Sequence, residues 1–208
     1  MQNSNAYISL VKQINATGIE KKDGYYYKIM EEIYEWERDK VEDIVWDAFK
    51  NKNDIGVAQF LPKLRKYDGI KALKESLFLN QIPSESSVEL GKVLYEATDD
   101  EKYLDVIMRN IDASPDNTSF VSILSYCRPC HKLNDLLIDI YINNENKVNR
   151  NTAVMGLLYA KGIIKDRSSI QEANNTIELR KKFKLQDKEE RRNIISKFES
   201  GEIIKLCL

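Results

Sequence analysis

VLYEATDDEKYLD, residues 93–105, decides how this chain is read. About thirty residues before it stands KLRKYDGIKALKE (63–75), and about thirty after it stands ILSYCRPCHKLND (123–135). Identities among the three are few, but the apolar rhythm is shared. Leu64, Leu94 and Leu124 hold one slot; Tyr67, Ala97 and Cys127 fall in a second; Leu73, Tyr103 and Leu133 fall in a third. A weaker fourth copy starts near Gly156, with Leu157 and Ala160 in the matching places. A fixed period of this length marks stacked helix–turn–helix units, none of which buries its apolar face alone. Within the quoted stretch, Leu94, Ala97, Tyr103 and Leu104 are expected to be core.

Working outward, residues 57–67 with 70–80, 88–97 with 101–111, and 118–126 with 132–143 read as three helix pairs, and 149–160 begins a fourth. Asp68-Gly69, Thr98-Asp99-Asp100 and Arg128-Pro129 make the turns within pairs. Asp54 is a candidate N-cap, and Ser86 with Glu89 fits a capping box. Pro62 is expected to kink its helix unless that helix starts later, and Leu73, Leu77 and Phe78 are expected to face inward. At the N-terminal end, 3–15 reads as a helix stopped by Thr17-Gly18, and Asp23-Gly24 opens a run from 25 to 52 free of Pro and internal Gly. That run reads as one helix, or two with a break near 37–40, with Ile29, Ile33, Trp36, Val41, Ile44, Val45 and Ala48 on its apolar side. Residues 170–185 and 188–198 are charged helices, followed by a tail, 202–208, that contains Cys207. The expected fold is all-α, with antiparallel helix pairs stacked as a HEAT-like α-solenoid. One domain is expected over 1–208: N-terminal helices to 52, repeats over 53–165, and capping helices over 166–208.

The 32 basic and 33 acidic side chains leave a net charge of −1, so no global field favours nucleic acid or a membrane surface. Residues 1–60 sum to −3, 61–146 to −4 and 147–208 to +6. The first residues, MQNSNAYISLVKQ, lack the charged and apolar regions of a signal peptide, and no apolar run has the length of a membrane span. Three Cys argue against a disulfide framework. A soluble, cytoplasmic protein is expected.

Cys127-Arg-Pro-Cys130-His131 matches the C-x-x-C-H pattern of haem attachment and half of a zinc or redox site. Haem attachment needs export, zinc needs four ligands, and a redox pair is expected after a strand at a helix N-terminus. Here the motif occupies a repeat turn with Cys127 in a core slot, so it is read as packing. His131 is the single histidine, and the chain holds no nucleophile elbow, P-loop, dinucleotide fingerprint or His-Glu-x-x-His. No catalytic residue, cofactor or metal site is assigned, and an enzyme is not expected.

Placed on one helix, Glu32, Glu35, Asp39, Glu42 and Asp43 form an acidic stripe opposite the apolar side, with Trp46 among them. A Trp framed by charges is a typical interface anchor, although Trp46 packing against a neighbouring helix fits the pattern as well. The Tyr25-Tyr26-Tyr27 run favours the interface. Asp99 and Asp100, on a variable repeat turn, complete the candidate partner-binding set. The basic residues Arg180, Lys181, Lys182, Lys184, Arg191 and Arg192 are interleaved with Glu178, Asp187, Glu189 and Glu190, so nucleic acid is the weaker partner.

Over residues 57–164 the repeats resemble the HEAT and armadillo-like class. In overall character the chain is similar to immunity proteins of contact-dependent growth-inhibition and related polymorphic toxin systems. That resemblance implies tight binding of a cognate toxin domain, often a basic nuclease, and carries over no site residue. Alternatives are a scaffold or adaptor, or a HEAT-like DNA glycosylase, which needs a positive groove.

Overall fold

In a computed structural model of the protein, residues 2–22, 24–166 and 169–205 are described, and among them all regular structure is helical. Asp23 of the expected Asp23-Gly24 turn and Cys207 of the tail lie outside the described residues. The chain divides into two compact units. The first holds residues 1–80 and 89–99; the second holds 81–88 and 100–208.

In the first unit, α1 (Asn5–Asn15) starts at Ser4, whose side chain accepts from the Tyr7 N–H. Its face of Ala6, Tyr7 and Leu10 is buried, and it packs against α3 (Ile29–Glu32). Between them, α2 (Ile19–Lys22) follows Gly18, whose φ of +62° makes the turn that a side chain would strain. The chain then passes through a 3-10 turn, Glu35–Glu37, into α4 (Arg38–Lys50). The run over 25–52, expected as one helix or as two with a break near 37–40, is broken at 33–37. Ile33 and Tyr34 are extended, with ψ near 149° in each. No Gly or Pro causes the break. The Glu37 carboxylate folds back to accept from the Tyr34 N–H (2.9 Å) and takes the N–H and hydroxyl of Ser4 (2.8 and 2.6 Å). Three strong donors on one buried carboxylate outweigh the local preference for continuous helix.

Residues 55–63 form a 3-10 helix, Ile55–Lys63, rather than the α-helix expected over 57–67. Pro62 lies inside it, in short i→i+3 turns rather than in the α-helix interior that a proline disrupts. This element packs on α4 and buries Val57, Phe60 and Leu61. Then α5 (Gly69–Leu79) begins at Asp68, which caps the Lys71 N–H at 2.9 Å. A Cβ at Gly69 would sit 2.0 Å from the Leu61 carbonyl oxygen, so this close approach of helix to helix requires glycine. Phe78, expected inward, is 89% exposed. It lies in the last turn of α5, past the buried residues Gly69, Ala72 and Leu73.

Helix α6 (Glu85–Thr98) begins three residues before the expected start, with the Ser84 hydroxyl, not Ser86, accepting from the Ser87 N–H. Leu94 and Tyr95 are buried, whereas Ala97 is exposed and is not a core residue. The turn that follows carries Asp99 at φ +57°.

The second unit contains α7 (Lys102–Ala113), α8 (Thr118–Ser125), α9 (His131–Asn143) and α10 (Lys147–Ala160). Their bounds lie within a few residues of those expected. The placement of Asn117 and Asn146 explains why, because each caps the helix that it precedes. Helix α10 packs against both α9 and α8, and α7 packs against α8. A Cβ at Gly156 would meet Leu137 Cδ1 at 2.8 Å and Ser125 Cβ at 3.0 Å, so α10 crosses both neighbours closely at that point. Asn110, fully buried, donates to the Val106 carbonyl and the Ser87 hydroxyl and accepts from the Ser84 N–H.

Towards the C-terminus, the single helix expected over 170–185 is two, α11 (Ile170–Asn175) and α12 (Ile177–Lys182), divided at buried Thr176. The Thr176 hydroxyl donates to the Ala173 carbonyl, a local bond that competes with helix continuation. Helix α13 (Lys188–Glu199) packs on α9 and on α14 (Glu202–Lys205). Phe183 meets Tyr141 and Phe198 edge-on, each at 5.5 Å. Burial pushes the Tyr141 hydroxyl up to about 12, against the opposing pull of Arg191 and Arg150. Its proton is donated to the Phe183 carbonyl at 2.9 Å.

Candidate protein interface

The break at 33–37 turns the first unit's surface over. Trp36, expected to face the core, is 52% exposed and lies stacked on Tyr34, itself 51% exposed, with centroids 6.0 Å apart. Tyr27, at 62%, and Tyr26 meet edge-on a few residues earlier. Tyr25, by contrast, turns inward onto Phe60, and its hydroxyl is held by Asp54 and Lys21. Burial, then the Asp54 hydrogen bond, raises the Tyr25 pKa far above the ordinary value, so this phenol remains a neutral donor. The Lys21–Tyr25–Asp54 cluster ties α2 to the start of the 3-10 helix.

The acidic stripe does not survive as one surface. Glu42 is buried, 1% exposed. It accepts from Arg38 Nε at 2.8 Å and from the backbone N–H groups of Arg65 and Lys66 at 2.9 and 2.8 Å. Breaking the helix rotates Glu42 under the segment that follows the 3-10 element, where it caps otherwise unbonded donors. Asp43 is exposed but committed to Lys66 Nζ and the Tyr67 hydroxyl, which hold its carboxyl below the ordinary range. Glu35 pairs with Arg65 at 2.6 Å, Glu31 pairs with Lys63 at 2.9 Å, and Glu32 accepts from the Tyr26 hydroxyl at 2.8 Å. Asp39 is exposed on the first turn of α4. Each of the exposed pairs is worth little, because water screens both members. Lys63, Arg65 and Lys66 nevertheless offset the charges of Glu31, Glu35 and Asp43, while Glu32 meets only a neutral hydroxyl.

Trp46 is half-buried and stacked face to face on Tyr67, with centroids 4.4 Å apart and planes 7° from parallel. It therefore packs against a neighbouring segment of its own unit. Asp99 is exposed in the first unit, and Asp100, in the second, pairs with Lys102 at 2.5 Å. The structure thus brings Glu32, Glu35 and Asp39 near the exposed aromatic segment in sequence and leaves Glu42 out. Sequence reasoning missed the Tyr34–Trp36 pair. The one available signal was that a Trp and a Tyr two residues apart cannot both face the core of one helix.

In the second unit, a groove of about 450 Å³ between α7 and α9 is lined by Asp112, Asp116, Asp139 and Glu145 above Met108, Ile111 and Ile140. Among the described residues, none of these four carboxylates has an ion-pair partner. At the C-x-x-C-H turn, Cys127 is fully buried, the Cys130 sulfur caps α9 through the Leu133 N–H, and His131 is exposed with Nδ1 2.9 Å from Asp135. The two cysteines therefore serve packing and capping. Among the described residues no helix is long and apolar enough to cross a membrane.

No protein-family model, curated protein or solved structure matches this chain.

Proposed function

We propose that the protein is a non-catalytic binder of another protein, with the Tyr34–Trp36 stack as the anchor of its contact surface. The observation that carries this is the exposure of both stacked rings, 51 and 52%, on a segment already fixed by the Glu37–Ser4 bonds. Tyr and Trp dominate interface hot spots because rigid rings bury large areas with little loss of side-chain freedom. Holding the pair in place beforehand lowers the ordering cost of binding. The specific form we favour is an immunity protein that neutralises a cognate toxin domain. In that reading the paired stripe is not the attraction for a basic nuclease; the carboxylates of the α7–α9 groove are. The repeat spacing, with α10 on α9 and α8, supports a HEAT-like stack for the helix pairs. The acidic groove speaks against a DNA glycosylase, whose groove must attract phosphate.

The test is whether a neighbouring gene encodes a toxin domain and whether co-expression with that domain restores growth and yields a complex. Trp36→Ala should weaken the complex about tenfold or more while leaving the fold intact. Equal binding by Trp36→Ala, or loss of binding only with Trp46→Ala, would remove the aromatic segment as the anchor.

A further inference from the structure

A second site lies in the basic C-terminal part of the second unit. Helices α10 and α12 flank a cleft of about 260 Å³, lined by Val148, Asn151, Thr152, Met155, Arg180 and Lys184. Its polar chemistry has one sign, with two cations, an amide and a hydroxyl but no carboxylate. Arg180 is incompletely used by the fold. Its Nη2 donates to the Ala173 carbonyl at 2.9 Å, its Nε is buried without an acceptor, and its Nη1 donates to no described residue. A guanidinium carries five donors, and burying part of it unpaired is costly unless something else accepts. Lys184 lies just past Phe183, the C-cap of α12, and both cations line the cleft. Its side chain is exposed and makes no ion pair among the described residues, whereas nearby Lys181 is held by Glu178 at 2.6 Å.

We propose that this cleft binds the phosphate group of a small phosphorylated ligand, with Arg180 and Lys184 as the anion-binding side chains. Arginine offers a planar fork that matches two phosphate oxygens, and lysine adds a point charge. Asn151 supplies a further donor. The Thr152 hydroxyl is already spent on the Val148 carbonyl at 2.9 Å, so it contributes only as an acceptor. Val148 and Met155 give the ligand's carbon skeleton an apolar wall. The volume is below the roughly 300 Å³ where drug-sized ligand sites begin, which suits a phosphate with a few carbon atoms rather than a nucleotide.

The test is a titration of the ¹⁵N-labelled full-length protein with inorganic phosphate, and separately with glycerol 3-phosphate, at ionic strength held constant with sodium chloride. Saturable amide shifts confined to residues 148–155 and 180–184 are expected. Tighter binding of glycerol 3-phosphate than of inorganic phosphate would assign the apolar wall a role, and equal binding would limit the site to the free anion. Lys184→Gln should weaken binding about tenfold with unchanged thermal stability, because this side chain is exposed and unbonded. Arg180→Gln should abolish it, and Lys181→Gln should leave it unchanged. Linear, non-saturating shifts overturn the proposal, as does full affinity in Lys184→Gln. The outcome is separable from the aromatic interface: Trp36→Ala should bind phosphate normally, and Lys184→Gln should bind the partner protein normally.

Discussion

Replacing Glu42 by Gln keeps the shape of the side chain and removes its charge. An amide has one acceptor oxygen where the carboxylate has two. If that oxygen stays on the Arg65 and Lys66 N–H groups, the amide NH2 confronts Arg38 Nε, donor against donor. If it turns to Arg38, two backbone donors are orphaned. The first arrangement is cheaper, because Arg38 keeps the Met30 and Lys63 carbonyls at 2.8 and 2.7 Å. Even so, a charge-assisted bond is lost between side chains only 13 and 1% exposed, and the other two bonds weaken. Breaking a buried pair in this way costs about 3 kcal/mol. In a chain of this length that is a fall in Tm of roughly 6–12 °C.

The pH dependence sharpens the test. Burial pushes the Glu42 carboxyl up, but the Lys66 N–H, Arg38 and the Arg65 N–H together outweigh it and hold the group below its ordinary value of 4.5. A depressed folded value means that the stabilisation is complete above the unfolded pKa and is lost as pH falls through the folded one. The gap between wild type and Glu42→Gln should therefore be constant from pH 7 down to about 5.5 and close at lower pH. Glu37, shifted in the same direction, is present in both proteins and cancels from the difference. Urea unfolding followed by far-ultraviolet circular dichroism at pH 7, 5 and 3 measures it. A gap below about 0.5 kcal/mol at pH 7, or one that does not change with pH, would refute the buried clamp.

Gly69→Ala drives a Cβ into backbone atoms of Leu61 and should cost more than about 4 kcal/mol, whereas Gly156→Ala meets side chains that yield and should cost about 1–3 kcal/mol in the same unfolding assay. Trp46→Ala should lower stability by about 2 kcal/mol through loss of its stack on Tyr67, while Trp36→Ala should leave the unfolding midpoint unchanged. Alkylation of the native protein, mapped by peptide mass spectrometry, should label Cys130 and spare Cys127 until the chain is unfolded.

Helix starts were legible because they are written locally. Asp54, Asp68, Asn117, Asn146 and Asp187 each accept from an N–H two or three residues on, and a short polar residue before an apolar period is visible in sequence. A break in the run after residue 25 was legible only as an alternative near 37–40; its place and cause were not, because Glu37 bonds to Ser4, thirty-three positions away. Thr176 shows a subtler failure: a residue with ordinary helix propensity ends a helix by turning its hydroxyl onto the preceding turn.

The acidic stripe dissolves for the same physical reason as the long helix. Carboxylates counted along one segment give the charge of that segment, not the field at the surface. Lys63, Arg65 and Lys66, carried on the next connection, neutralise Glu31, Glu35 and Asp43, and the backbone beside them takes Glu42 into the interior. Once Glu37 interrupts the helix, the two tryptophans exchange environments, Trp46 gaining Tyr67 as a cover and Trp36 losing the core. Residue type singles out tryptophan as a candidate anchor, but which tryptophan is exposed depends on a bond between segments. The acidic groove between α7 and α9 depends likewise on two helices that are adjacent in space but separated in sequence by α8. Charge periodicity within one helix therefore locates a binding surface only when the segments packed against that helix carry no compensating charge.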